Sequence, residues 1–215
     1  PSLELYEIWA ELYEQRRRMF EEHGIEADFW IGETIGHGGG IAAAGSPFTP
    51  IVGPNGQEAS GSSCPLDPEF LSYMEAVFTI LARKRPGLIL LDDDFRLHYH
   101  NSQSPTGCFC DRHIAVFNER YGKTLTREEI AAAVYAEEPN EIRSLWYDVT
   151  GDSLLHTAQV IEKAVHRISP DTRIGLAAAM THWSSEGVDM AELLRAFAGS
   201  TRPFIRTYGS PYRNE

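Results

Sequence analysis

The stretch Leu88-Ile89-Leu90-Leu91 constrains this chain most: it is apolar without alternation, opened by Pro86-Gly87 and closed by three consecutive aspartates, Asp92, Asp93 and Asp94. An apolar run of strand length with no polar face reads as a strand covered on both sides, the kind that parallel sheets contain. Helical patterns lie on either side of it. Leu5, Ile8, Leu12 and Met19 recur at helical spacing over residues 3 to 22, His23-Gly24 closes that helix, and Ala27 to Ile31 follows as a strand. About 35 residues rich in Gly, Pro and Ser then read as one long loop. Asp67-Pro68 opens a second helix with Phe70, Met74, Val77, Phe78 and Leu81 as its stripe.

Beyond the aspartates, Ile114, Phe117 and Tyr121 mark a short helix stopped by Gly122, and Thr126 with Glu129 forms a capping box. A longer helical pattern from Pro139 to Ile168 carries Trp146, Val149, Ala158, Ile161 and Val165. Ser169-Pro170-Asp171 breaks it, and Arg173 to Met180 reads as a third strand. Asp189 and Glu192 open a helix over Leu193, Leu194 and Phe197, Gly199 ends it, and Pro203 to Tyr208 is a fourth strand. Strands alternating with helices predict an α/β fold with a parallel sheet built from right-handed βαβ units. An open doubly wound sheet is complete with four or five strands, whereas a (β/α)₈ TIM barrel needs eight and about 250 residues. The long loops after the strands favour the barrel, of which residues 1–215 would form one partial domain, roughly half.

Nineteen basic against 31 acidic residues give a net charge of −12, which disfavours nucleic acid and anionic membranes as partners. No apolar run approaches the roughly 20 residues of a membrane helix. Pro1 already stands in the run-up to a helix, so a natural N-terminus is expected upstream. Three cysteines do not make a disulfide framework, and the odd count suits a reducing, cytoplasmic compartment or metal ligation.

Carboxylates at the C-terminal end of a strand project into the mouth of an α/β fold. Alternation places Asp92 and Asp94 on one face and Asp93 on the other. Crowding raises the pKa of at least one of them toward the range of a general acid. The competing reading is structural, with the aspartates capping the following loop or pairing with Arg96. Cys108 and Cys110 stand two apart in the next loop, and His113 lies three further on, at the first turn of a helix. Cys64 would complete a tetrahedral site, and a thiolate-rich site suits zinc. The alternative is that all three are reduced, buried thiols.

These segments resemble the glycoside hydrolase family 42 β-galactosidases and their clan A relatives. That family reads apolar strand, Asp-Asn-Glu-Tyr, a short loop, Cys-aromatic-Cys-x-x-Cys, then a helix with Phe and Tyr-Gly. Here the order is Leu91-Asp92-Asp93-Asp94-Phe95, then Cys108-Phe109-Cys110-Asp111-Arg112-His113, Phe117 and Tyr121-Gly122, with Cys64-Pro65 upstream. The likeness is good over roughly residues 50 to 150. It implies a TIM barrel, retaining hydrolysis of a glycosidic bond in a carbohydrate substrate, and the structural zinc of those family members that have four cysteines. It puts the acid/base on Asp94, where the family has Glu, and the preceding asparagine on Asp93; His113 replaces the third cysteine.

Asp93, Arg96, Glu33 and Trp30 are the expected substrate contacts. If Leu88 to Leu91 is the fourth barrel strand, the nucleophile of the seventh strand is not in this sequence. Either the polypeptide continues beyond Glu215, or other chains supply the rest, a homo-oligomer included. A barrel that binds carbohydrate without chemistry is an alternative. So is a metal-dependent hydrolase of the amidohydrolase kind, in which His98 and His100 join the aspartates around an ion. His37-Gly38-Gly39-Gly40 and Gly151-Asp152-Ser153-Leu154 resemble esterase motifs outside their proper setting. Trp183, like Trp30, could stack on a sugar ring.

Overall fold

The computed structural model describes residues 1–36, 47–59, 61–98, 107–178 and 186–207. Helix α1 (Leu3–Glu21) leads into β1 (Phe29–Ile31), a short antiparallel pair β2 (Ile51–Val52) and β3 (Glu58–Ala59), helix α2 (Pro68–Ala82) and β4 (Leu88–Leu91). Helices α3 (Asp111–Tyr121), α4 (Arg127–Val134) and α5 (Glu141–His166) follow, then β5 (Arg173–Ala178), α6 (Met190–Ala198) and β6 (Phe204–Thr207). The main sheet has the order β1-β4-β5-β6, every pair parallel. This is the α/β arrangement of a TIM-barrel type sheet, with four strands described.

Helix starts follow local chemistry. Asp67 caps α2, accepting from Glu69 N at 2.9 Å, with Pro68 at the first helical position. Thr126 and Glu129 form a reciprocal capping box on α4, and Asp189 accepts from Glu192 N at 3.0 Å on α6. One face of the sheet, with Ile31, Ile89, Leu91, Ile174 and Leu176, packs on α2 and α5 as the main core. A second core lies under α3 and α4, where Phe109, Phe117 and Ile130 pack on Trp146 of α5; the Phe109 and Trp146 rings stack at 4.5 Å.

The structure corrects the sequence reading in three places. The long loop after β1 contains the β2–β3 pair, turned through Asn55-Gly56, where Gly56 has φ +81°. Glycine adopts the positive φ of this turn without the steric cost that a Cβ would bring. The run Leu88 to Leu91 is not covered equally on both faces, since Leu88 and Leu90 are half-buried while Ile89 and Leu91 are buried. Trp30, Leu90, Gly175 and Phe204 form one row on the face opposite the helices. Closed barrels fill that face from all eight strands, which four cannot do. Finally, α1 buries Tyr6 and Ala10, whereas Ile8, Leu12 and Met19 of the expected stripe are exposed. That stripe faces away from α2, the helix against which α1 packs.

Candidate functional site

Two chain segments meet at the C-terminal side of the sheet. Cys64 stands in the loop before α2, Cys108 and Cys110 precede α3, and His113 sits in its first turn. All four are buried, and their ligand atoms lie within 4.8 Å of one another. Cys64 Sγ is 3.5 Å from Cys110 Sγ and 3.4 Å from His113 Nδ1, and Cys110 Sγ is 3.4 Å from the same nitrogen. A tetrahedron with metal–sulfur arms of about 2.3 Å has edges of about 3.8 Å, so one small ion fits among these atoms. The backbone holds the segments in place. Cys64 N donates to Thr49 O at 2.7 Å, and Phe109 N donates to Val52 O at 2.6 Å.

Cys64, Cys110 and His113 titrate together. Sharing of S–H protons with Cys108 and then Cys110, together with burial, pushes the Cys64 thiol far up. The same contacts with Cys108 and Cys64, reinforced by His113, drive Cys110 far down. Burial lowers His113, but its contacts with the Cys108 and Cys110 sulfurs outweigh it and hold the ring at about 10. Without an ion the cluster keeps charge as a thiolate–imidazolium pair; a soft divalent cation replaces those protons. His113 Nε2 lies 3.3 Å from Ser153 Oγ, which donates to Thr150 O at 2.7 Å.

The aspartates occupy the neighbouring strand end. β4 stops at Leu91, and Asp93 and Asp94 lie in a turn, so the alternation expected for Asp92 and Asp94 does not extend to them. Asp94 is fully buried. Its Oδ2 accepts from Thr34 N at 2.6 Å and Gly36 N at 3.3 Å, whereas Oδ1 has no hydrogen-bond partner among the described residues. Burial raises its carboxyl to about 8 against the pull of those two N–H groups, with Asp92 adding repulsion. Asp93 is half-buried and pairs with Arg96, Nη1 to Oδ1 at 3.4 Å. Glu33 is half-buried at the end of β1, with a buried Oε2 that lacks a partner among the described residues. Trp30 is 61% exposed. A cavity of about 560 Å³ runs beside β1, the edge strand among those described, from Ala27 and Asp28 to Glu33, with Trp9, Tyr13 and Trp30 among its walls.

One buried carboxylate escaped the sequence reading. Glu186, before α6, accepts from Leu97 N at 2.6 Å and His98 N at 3.3 Å and also contacts the His98 ring. It ties the segment after β4 to the one after β5. A lone Glu between Ser185 and Gly187 carries no pattern that announces this. Gly151 has a packing role: a Cβ there would lie 2.3 Å from Gly187 O, so α5 and that loop meet backbone to backbone. His37, Gly38, Gly39, Gly40, His100 and Trp183 lie outside the described residues.

No protein-family model matches the chain, and no curated protein matches it. Among solved structures, the chain is similar to the catalytic domain of β-amylase from Paenibacillus polymyxa, at 14% identity and a TM-score of 0.53. That match covers 86% of this chain and 61% of the other, so the chain spans under two thirds of it. A second similar structure is the β-galactosidase of Bacillus circulans sp. alkalophilus, at 19% identity, TM-score 0.44 and coverage of 63% and 25%. PfGH50B follows at 15%, 0.39, and 71% and 26%. The first likeness shows the fold. Among the described residues, no helix is long and apolar enough to cross a membrane.

Proposed function

We propose that this chain is the metal-clamped part of a glycoside hydrolase barrel acting on a carbohydrate, related to the family 42 β-galactosidases. The observation that carries the reading is the convergence of Cys64, Cys108, Cys110 and His113, with the Cys64 loop linked to Asp94 through Gly36, which bridges Ser62 and donates to Asp94 Oδ2. A structural zinc held by these four groups would supply cross-linking of the loops and no chemistry, since all four tetrahedral positions are taken by protein. Asp94 would be the general acid/base of a retaining mechanism. A carboxyl held at about 8 is protonated at neutral pH, ready to deliver a proton to the leaving glycosidic oxygen. The second carboxylate that such a mechanism needs is assigned to no residue of this chain. Glu33, Asp93, Arg96 and Trp30 would contact the sugar.

One observation favours a second reading. Asp94 is sealed from solvent and holds the Thr34 and Gly36 N–H groups, as a loop anchor would. On that reading the barrel binds carbohydrate without cleaving it. Turnover of aryl glycosides by a polypeptide carrying this chain separates the two. An enzyme loses turnover about 100-fold or more on Asp94→Asn with its sugar affinity kept. Unchanged turnover in that variant removes Asp94 from the acid role.

A further inference from the structure

We infer that Ser153 is a positioning residue for the metal centre: it fixes His113 in the tautomer protonated at Nε2 and so aims the lone pair of Nδ1 at the three sulfurs. The inference rests on the metal reading proposed above. It follows from counting protons. A serine hydroxyl has one hydrogen and two lone pairs. Ser153 Oγ donates its hydrogen to Thr150 O at 2.7 Å, one turn back along α5. Toward the ring, 3.3 Å away, it has lone pairs only, so His113 Nε2 must be the donor. Nδ1 lies 3.4 Å from both Cys64 Sγ and Cys110 Sγ, where a ligand nitrogen belongs.

Burial makes this contact matter. His113 and Ser153 are both inaccessible, at 0% and 2% exposure, so water does not replace a lost acceptor without rearrangement. Groups that orient a metal-bound imidazole through its second nitrogen typically change metal affinity 10- to 100-fold when removed. Ser153 belongs to a row of buried hydroxyls, Thr150, Ser153 and Thr157, at i, i+3 and i+7 on α5. Thr157 provides a matched control. Its Oγ1 donates to Ser153 O at 2.9 Å, a similar helix bond that does not reach the ring.

The test measures zinc affinity by competition with a chromophoric chelator for the native chain, Ser153→Ala and Thr157→Ala. Ser153→Ala is expected to bind zinc at least about 10-fold more weakly, with Thr157→Ala within about twofold of the native protein. Long-range ¹⁵N–¹H NMR of the zinc-loaded native chain is expected to show His113 protonated at Nε2 and metal-bound at Nδ1. That spectrum decides the assignment even if Ser153→Ala does not fold. Equal affinity of Ser153→Ala and native protein, or zinc on Nε2, overturns the role of Ser153 and leaves the metal site standing. A native chain that takes up no zinc overturns both.

Discussion

Asp94 is the residue whose environment makes the sharpest demand on solution behaviour. Its carboxyl titrates near 8 in the fold against 3.8 in the absence of burial. Between those values the folded chain holds a proton that the unfolded chain has released. Folding therefore loses stability as pH climbs through this window, by up to about 1.4 kcal/mol per pH unit, and the loss is complete above it. Asp94→Asn keeps an oxygen for Thr34 N and Gly36 N without the charge. Urea unfolding at pH 5 and pH 9 should show the native chain markedly weaker at the higher pH and the variant weakened less. Equal pH dependence in both would mean that Asp94 is ionised in the fold at neutral pH. The aspartate run and the Cys-x-Cys spacing made this corner of the site legible from sequence, because both are local patterns. Glu186 and Ser153 were not legible, since each acts on groups from other segments, Leu97 and His98 in one case and His113 in the other.

Among the elements, α5 does most to hold the site. It buries Trp146 against the second core, sets Ser153 behind His113, and receives the loop after β5 through Thr150 Oγ1, which donates to Glu186 O at 2.9 Å. The close approach depends on two glycines. A Cβ on Gly187 would lie 1.9 Å from Tyr147 O, and its φ of +79° is itself unfavourable for other residues. Gly187→Ala should cost about 2–5 kcal/mol in denaturant titration, combining overpacking with backbone strain. A cost under about 1 kcal/mol would show that the loop moves freely off the helix. Helix positions and caps were readable because Asp67-Pro68, Thr126 with Glu129, and Asp189 with Glu192 are each complete within one turn. The burial of α1 was not, because the Ile8–Leu12–Met19 stripe that the periodicity marked stays exposed while Tyr6 and Ala10 are buried.

For the whole molecule, the uncovered surface is informative. Most of the exposed large hydrophobic side chains lie on α1 and β1, among them Ile8, Trp9, Leu12, Phe20 and Trp30. Contiguous apolar surface beside an unpaired parallel edge promotes association. Light scattering should find the isolated chain self-associating as concentration rises, and Trp30→Ser or Ile8→Ser should reduce this. A chain monodisperse at every concentration would contradict that expectation. The alternation of strands and helices announced the parallel sheet, whereas the number of strands around it depends on contacts that no short window of sequence encodes.

The metal clamp is the centre of the account, and elemental analysis of protein purified under reducing conditions tests it directly. One zinc per chain is the predicted result, with Cys110→Ser retaining none and strong chelators lowering the melting temperature of the native protein. Native protein free of zinc, and unable to take it up when it is supplied, would contradict the clamp and with it the proposed role of these four side chains.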